Sequence, residues 1–134
     1  MRKLAAHYIF DGFNLIKNGL LTFTDEGEII SLSEFNPNKE SANVEFINGI
    51  LCPGFVNAHC HLELSFLKGK LTKNGGMESF INQMKKVERS ETNEKIELAK
   101  LADKEMWDEG IAACGDIVNS TLTLELKKHS KIFY

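Results

Sequence analysis

"CPGFVNAHCHLEL", residues 52–64, places two histidines on either side of a cysteine, a few positions after a Pro-Gly turn. Its apolar residues read as a strand, in which successive side chains alternate between faces. Asn57, His59, His61 and Glu63 then project to one side, and Ala58, Cys60, Leu62 and Leu64 to the other. Imidazoles two apart on one strand face can approach a single divalent ion, and neutral nitrogen donors suit zinc, iron or nickel better than calcium or magnesium. A bare His-x-His also arises in strands by chance, so the surrounding chain decides its meaning.

Upstream, loosely alternating apolar and β-branched residues run from Lys3 to Phe10 and from Leu15 to Thr24. "TDEGEIISL", residues 24–32, holds a Gly27-centred turn between two apolar runs, the pattern of a hairpin. Residues 36–43 are a polar loop. The extended stretch that follows is interrupted at Asn48-Gly49 and at Pro53-Gly54, and the second turn divides the chain into residues 1–54 and 55–134.

Past Gly75 and Gly76 the period changes. Met77, Phe80, Ile81, Met84 and Val87 form one stripe of a helix over 77–89. A second helix starts near Thr92 or Asn93, carries Ile96, Ala99, Ala102 and Met106, and stops at Gly110. "GIAACGDIVN" has the small and β-branched content of a strand covered on both faces. Ser120 or Thr121 caps a short helix carrying Leu122 and Leu126, and "KIFY" opens another apolar segment. Repeated β-then-α order implies a parallel sheet, either an open doubly wound one or a (β/α) barrel. A complete barrel needs roughly 250 residues, so the roughly 80 residues from Phe55 onward are expected to be its opening units only.

Composition narrows the partners. The chain has 134 residues, 43% of them hydrophobic, a formal net charge of −3 and no long basic block. Nucleic acid is therefore not an expected partner, and a small molecule is. No segment approaches the roughly 20 apolar residues needed to cross a bilayer, and the reading is cytoplasmic, without a membrane partner. The three cysteines, Cys52, Cys60 and Cys114, form no Cys-x-x-Cys pair and are expected to be reduced and buried.

With these features together, the chain resembles the amidohydrolase superfamily of metal-dependent hydrolases. Members carry a Pro-Gly-hydrophobic-hydrophobic-Asp/Asn-x-His-x-His segment at the end of the first barrel strand, matched by Pro53, Gly54, Phe55, Val56, Asn57, His59 and His61. "EGIAACGDI" is similar to the family's second barrel strand, and "HCHLELSFLKG" to its branch of chlorohydrolases and aminofutalosine deaminase. The resemblance implies an α/β chain with N-terminal strands of a small β-sandwich and the first units of a (β/α)8 TIM-like barrel, truncated. It further implies that His59 and His61 are two ligands of a catalytic divalent metal, zinc first and Fe2+ as the alternative. The metal would lower the pKa of a bound water, giving a hydroxide that attacks a purine-like or aminofutalosine-like cyclic amidine and releases ammonia.

The family's other ligands and acid/base groups would lie beyond Tyr134, so the 134-residue chain by itself is expected to be inactive. No catalytic residue is assigned within it. Glu63 could orient a ligand or meet substrate, or stand as a solvated carboxylate. Asp116 reads as a buried structural acceptor, with support of a metal ligand as the alternative. Residues 68–76 could cover substrate or form a plain connection. His7 and His129 read as surface residues, Trp107 as core, and Cys60 as a small packing residue.

Three rivals were weighed. A chlorohydrolase or amide hydrolase of the same superfamily uses the same residues. The His-x-Glu of His61-Leu62-Glu63 matches cytidine-deaminase-type zinc enzymes, but these require a downstream Pro-Cys-x-x-Cys that is absent here. A non-catalytic truncated barrel would serve as an interaction module. Unpaired strand edges in either fragment predict an oligomeric or marginally stable isolated chain.

Overall fold

The computed structural model describes residues 1–39, 43–86 and 92–134. The chain divides into two compact units, Met1–Pro53 and Gly54–Tyr134.

The first unit is one mixed four-stranded sheet. β1 (Arg2–Phe10), β2 (Leu15–Phe23), β3 (Ile29–Glu34) and β4 (Val44–Leu51) lie in the order β3-β2-β1-β4. β1 pairs antiparallel with β2 and parallel with β4, and β2 pairs antiparallel with β3. The β1–β2 turn is built by Asp11, whose carboxylate accepts the backbone N–H groups of Phe13 and Asn14 while Gly12 takes a φ of +103°. These bonds hold the Asp11 carboxyl below its ordinary pKa. The Gly27 turn is present between β2 and β3, closed by a bond from the Gly27 N–H to the Thr24 carbonyl.

The buried centre of this sheet is Ala5, Ala6, Ile9, Leu20 and Thr22. Small side chains on β1 suit a strand paired on both edges. A Cβ at Gly19 would stand 2.5 Å from Ile9 Cγ1, so a larger residue there would push the Ile9 side chain aside. Ile29, Ile30, Phe46 and Ile50 remain exposed, and Cys52 is exposed too, contrary to the expectation that all three cysteines are buried. Among the described residues this unit is a single sheet, without the second layer of a sandwich.

In the second unit β5 (Phe55–Cys60) pairs parallel with β6 (Ile111–Asp116). Phe133 begins a further parallel neighbour of β6, donating its N–H to the Ala112 carbonyl and accepting that of Cys114. The helices are α1 (Gly76–Lys86), α2 (Thr92–Asp108) and α3 (Leu124–His129). Residues 87–89 of the expected first helix, including Val87, lie outside the described residues, as do residues 40–42 of the polar loop. The described stripe of α1 is not buried: Met77, Phe80 and Ile81 are exposed.

α2 follows its sequence pattern. Ala99 is fully buried, Ile96, Ala102 and Met106 are half-buried on the same stripe, and Gly110 closes the helix with a φ of +86°. Trp107 is 40% exposed beneath the Lys131 ammonium, because it falls off that stripe; the expectation of a core tryptophan is corrected. α3 begins after Thr123, later than Ser120 or Thr121; the Ser120 hydroxyl donates to Glu63 and accepts the Leu122 N–H.

Candidate metal centre

β5 delivers the histidines, but it ends at Cys60, earlier than the alternation predicts. Leu62–Leu67 form a 3-10 turn that starts at His61 and packs on α2 through Leu62, Phe66 and Leu67, all buried. Three apolar side chains within six residues are better buried by a helical turn against α2 than by a strand that would show half of them to the opposite face. The chain therefore leaves the sheet between the second histidine and the glutamate.

His59 and His61 nevertheless stay together, with ring centroids 5.0 Å apart and planes at 76°. His59 is exposed and His61 half-buried. The Nδ1 of His61 lies 2.9 Å from the Ile117 carbonyl oxygen. A carbonyl only accepts, so a bond here needs the proton on Nδ1, and the neutral ring then keeps its lone pair on Nε2. Metal-binding histidines have this arrangement, with the ring N–H that faces away from the ion given to a carbonyl or carboxylate. The donor chemistry thus fits a divalent transition metal at Nε2.

Glu63 is not in that row. It is 7% exposed, and its Oε1 accepts the Asn119 backbone N–H at 2.9 Å and the Asn119 side-chain amide at 3.2 Å, while Oε2 accepts the Ser120 hydroxyl. Burial raises its pKa, but the bonds from Ser120 and Asn119 together outweigh this and hold the carboxyl below its ordinary value. The alternative of a solvated Glu63 is corrected: the 3-10 turn carries its carboxylate onto the segment after β6.

Asp116 completes the junction. Its Oδ1 accepts the Leu62 N–H at 2.8 Å, and its other oxygen pairs with the Lys127 ammonium; the Asp116 side chain is buried and that of Lys127 half-buried. The structural reading of Asp116 is the one its contacts match. Next to it the Ile117 N–H donates to the Cys60 carbonyl at 2.9 Å. Residues 60–63 are therefore bound, one after another, to residues 116–120.

Sequence reasoning missed this junction and a second one, in which Asp103 on α2 accepts both the Ser130 and Tyr134 hydroxyls at 2.7 Å. The available signal was the short polar residues Asp116, Asn119 and Ser120 at the end of the strand that pairs with the histidine strand. Cys60 is half-buried and Cys114 buried beside it, and burial first, then the neighbouring Cys60, pushes the Cys114 thiol up to about 11.

A hollow of about 530 Å³ opens beside His61, lined by Leu64, Phe66, Leu98, Leu101 and Glu105 among others. Among the described residues no group of three or more His, Cys, Asp or Glu side chains is arranged to hold a metal. Two imidazoles alone would be one short of the three protein ligands usual at catalytic zinc.

This arrangement of strands and helices occurs in solved structures. Aminofutalosine deaminase from Helicobacter pylori, in complex with methylthio-coformycin, superposes with a TM-score of 0.74 at 20% identity, over 98% of this chain and 33% of that one. An adenosine deaminase from Xanthomonas campestris with bound zinc matches with a TM-score of 0.63 at 14% identity, over 92% of this chain and 31% of that one. The chain thus shares the fold of a part of each of these two proteins. By sequence, an adenine deaminase from Methanopyrus kandleri is 34% identical over 67 residues, 50% of this chain and 11% of that protein. The chain spans about a third of the two solved deaminases and a ninth of the curated relative. No protein-family model matches it. No helix among the described residues is long and apolar enough to cross a membrane.

Proposed function

We propose that this chain is the N-terminal part of a metal-dependent amidohydrolase of the cytoplasm, which hydrolytically deaminates a purine-like or aminofutalosine-like cyclic amidine. His59 and His61 hold its divalent metal, zinc before iron, together with ligands from outside these residues. In this reading Met1–Pro53 contributes strands of a β-sandwich and Gly54–Tyr134 the first units of a (β/α)8 barrel. The observation that carries it is the His61 ring, which gives its Nδ1 proton to the Ile117 carbonyl and keeps Nε2 free at the same strand end as His59. The deaminase names of the similar proteins support the reaction class.

A bound divalent ion would supply a water of lowered pKa and Lewis acidity toward the amidine carbon. The residues of this chain do the rest of what is assigned here. β5 and β6 set the two imidazoles at one end of the sheet. Ile117 fixes the tautomer of His61, and Leu62, Phe66 and Leu67 keep the turn behind it dry by packing on α2.

Ammonia release from adenine, adenosine and an aminofutalosine should be measured with zinc on the protein that carries this sequence. Deamination of at least one, lost on His61→Ala and on His59→Ala, is the expected outcome. Full turnover in both variants would remove the histidines from the reaction. Turnover only of a chloro-substituted or amide substrate would move the assignment to another branch of the superfamily.

A further inference from the structure

We infer that Glu63 is a positioning residue for His61: it clamps the segment Ile117–Ser120, whose first carbonyl sets the tautomer of that histidine. This rests on the metal reading above only for its consequence, since the clamp itself is a matter of hydrogen bonds within the chain.

Ile117 presents the carbonyl, and it sits between two anchors. On one side its own N–H donates to the Cys60 carbonyl at 2.9 Å, and the preceding Asp116 accepts the Leu62 N–H at 2.8 Å. On the other side Glu63 accepts three bonds, two from Asn119 and one from Ser120. Without the second anchor, the segment after Ile117 is exposed chain, with Ile117, Val118, Asn119 and Ser120 all solvent-facing. An exposed stretch held only at Asp116–Ile117 and again at buried Thr123 has more peptide orientations open to it than one held in its middle as well. The carbonyl that receives the His61 proton would then share that freedom, and the imidazole would lose its preference between Nδ1–H and Nε2–H.

The Glu63 carboxylate is engaged by Asn119 and Ser120, and it lines a hollow of about 480 Å³ with those residues, Lys85 and Lys95, whereas His61 lines an adjoining hollow along α2 that shares Leu64 and Phe66 with it. The length of the side chain is specific to the task. Glutamine keeps the same reach, with an oxygen for Asn119 and an amide that can donate to the Ser120 oxygen, whereas alanine removes all three bonds.

The test is nitrogen NMR of the histidine rings in the metal-free chain, followed by titration with zinc chloride. Wild-type protein should show His61 as the Nδ1–H tautomer. Glu63→Ala should average the two ring nitrogens of His61 while leaving those of His7 and His129 unchanged, and weaken zinc binding about tenfold. Glu63→Gln should restore both. An unchanged His61 tautomer and unchanged zinc affinity in Glu63→Ala would overturn the inference. If Glu63→Ala fails to fold, the double variant Asn119→Ala with Ser120→Ala removes two of the three contacts from the exposed side. It should move the tautomer in the same direction, and no movement counts against the clamp. Zinc binding unaffected by His61→Ala would sink the metal reading alone, because the tautomer is read without metal.

Discussion

The two sheets of this chain are completed differently. In Met1–Pro53 the backbone ladders run nearly the length of the strands, with β1 registered against β2 from Arg2–Phe23 to Phe10–Leu15. In Gly54–Tyr134 the β5–β6 ladder breaks between Asn57 and Cys60, and side chains take over: Asp116 holds the Leu62 N–H, Glu63 holds Asn119 and Ser120, and His61 reaches the Ile117 carbonyl. Backbone pairing makes a sheet that depends little on which side chains it carries. Where side chains replace it, their chemistry becomes specific, and in this chain that place is the end of the histidine strand.

The sharpest break in the comparison should come from Asp116→Ala. It leaves the half-buried Lys127 ammonium without its counter-charge and the Leu62 N–H without an acceptor, a loss of about 3–5 kcal/mol. Amide exchange should show protection lost in Gly54–Tyr134 and kept in Met1–Pro53. Equal loss in both units would mean that the junction is not local.

Two glycines make a matched pair with a smaller effect. A Cβ on Gly115 would stand 2.8 Å from the Ala58 carbonyl oxygen, and one on Gly19 would meet only the Ile9 side chain. Backbone cannot swing aside as a side chain can, so Gly115→Ala should fall at the upper end of roughly 1–3 kcal/mol and Gly19→Ala at the lower end. Urea unfolding of the two variants checks the order, and the reverse order would show that Ile9 is the more rigid neighbour.

The gentlest probe leaves stability untouched. Exposed Cys52 should be alkylated by iodoacetamide at pH 8 well before Cys114, whose thiol is pushed up to about 11 and so is almost wholly protonated there. Raising the pH should narrow the gap, because the thiolate is the reacting form. Mass spectrometry reads both sites, and equal rates at pH 8 would show that the second unit opens freely.

Much of the fold was legible in the sequence. The Gly27 turn, the α2 stripe and the Gly110 stop are local patterns, and local patterns survive folding. The alternation in "NAHCHLEL" was legible as far as Cys60. Past it, period two predicted Glu63 beside the histidines, whereas burial of Leu62, Phe66 and Leu67 against α2 favoured a helical turn. That competition depends on α2, about 30 residues away in sequence, so no window around the motif contains it.

The central claim is that His59 and His61 are two halves of one ion-binding pair. Its most direct test is titration of the chain with zinc chloride while the ring nitrogens of all four histidines are followed by NMR. His59 and His61 should shift together at one zinc per chain, with the change at His61 on Nε2, while His7 and His129 stay in place. A titration in which the two move independently, or in which His7 or His129 takes the zinc first, would contradict it.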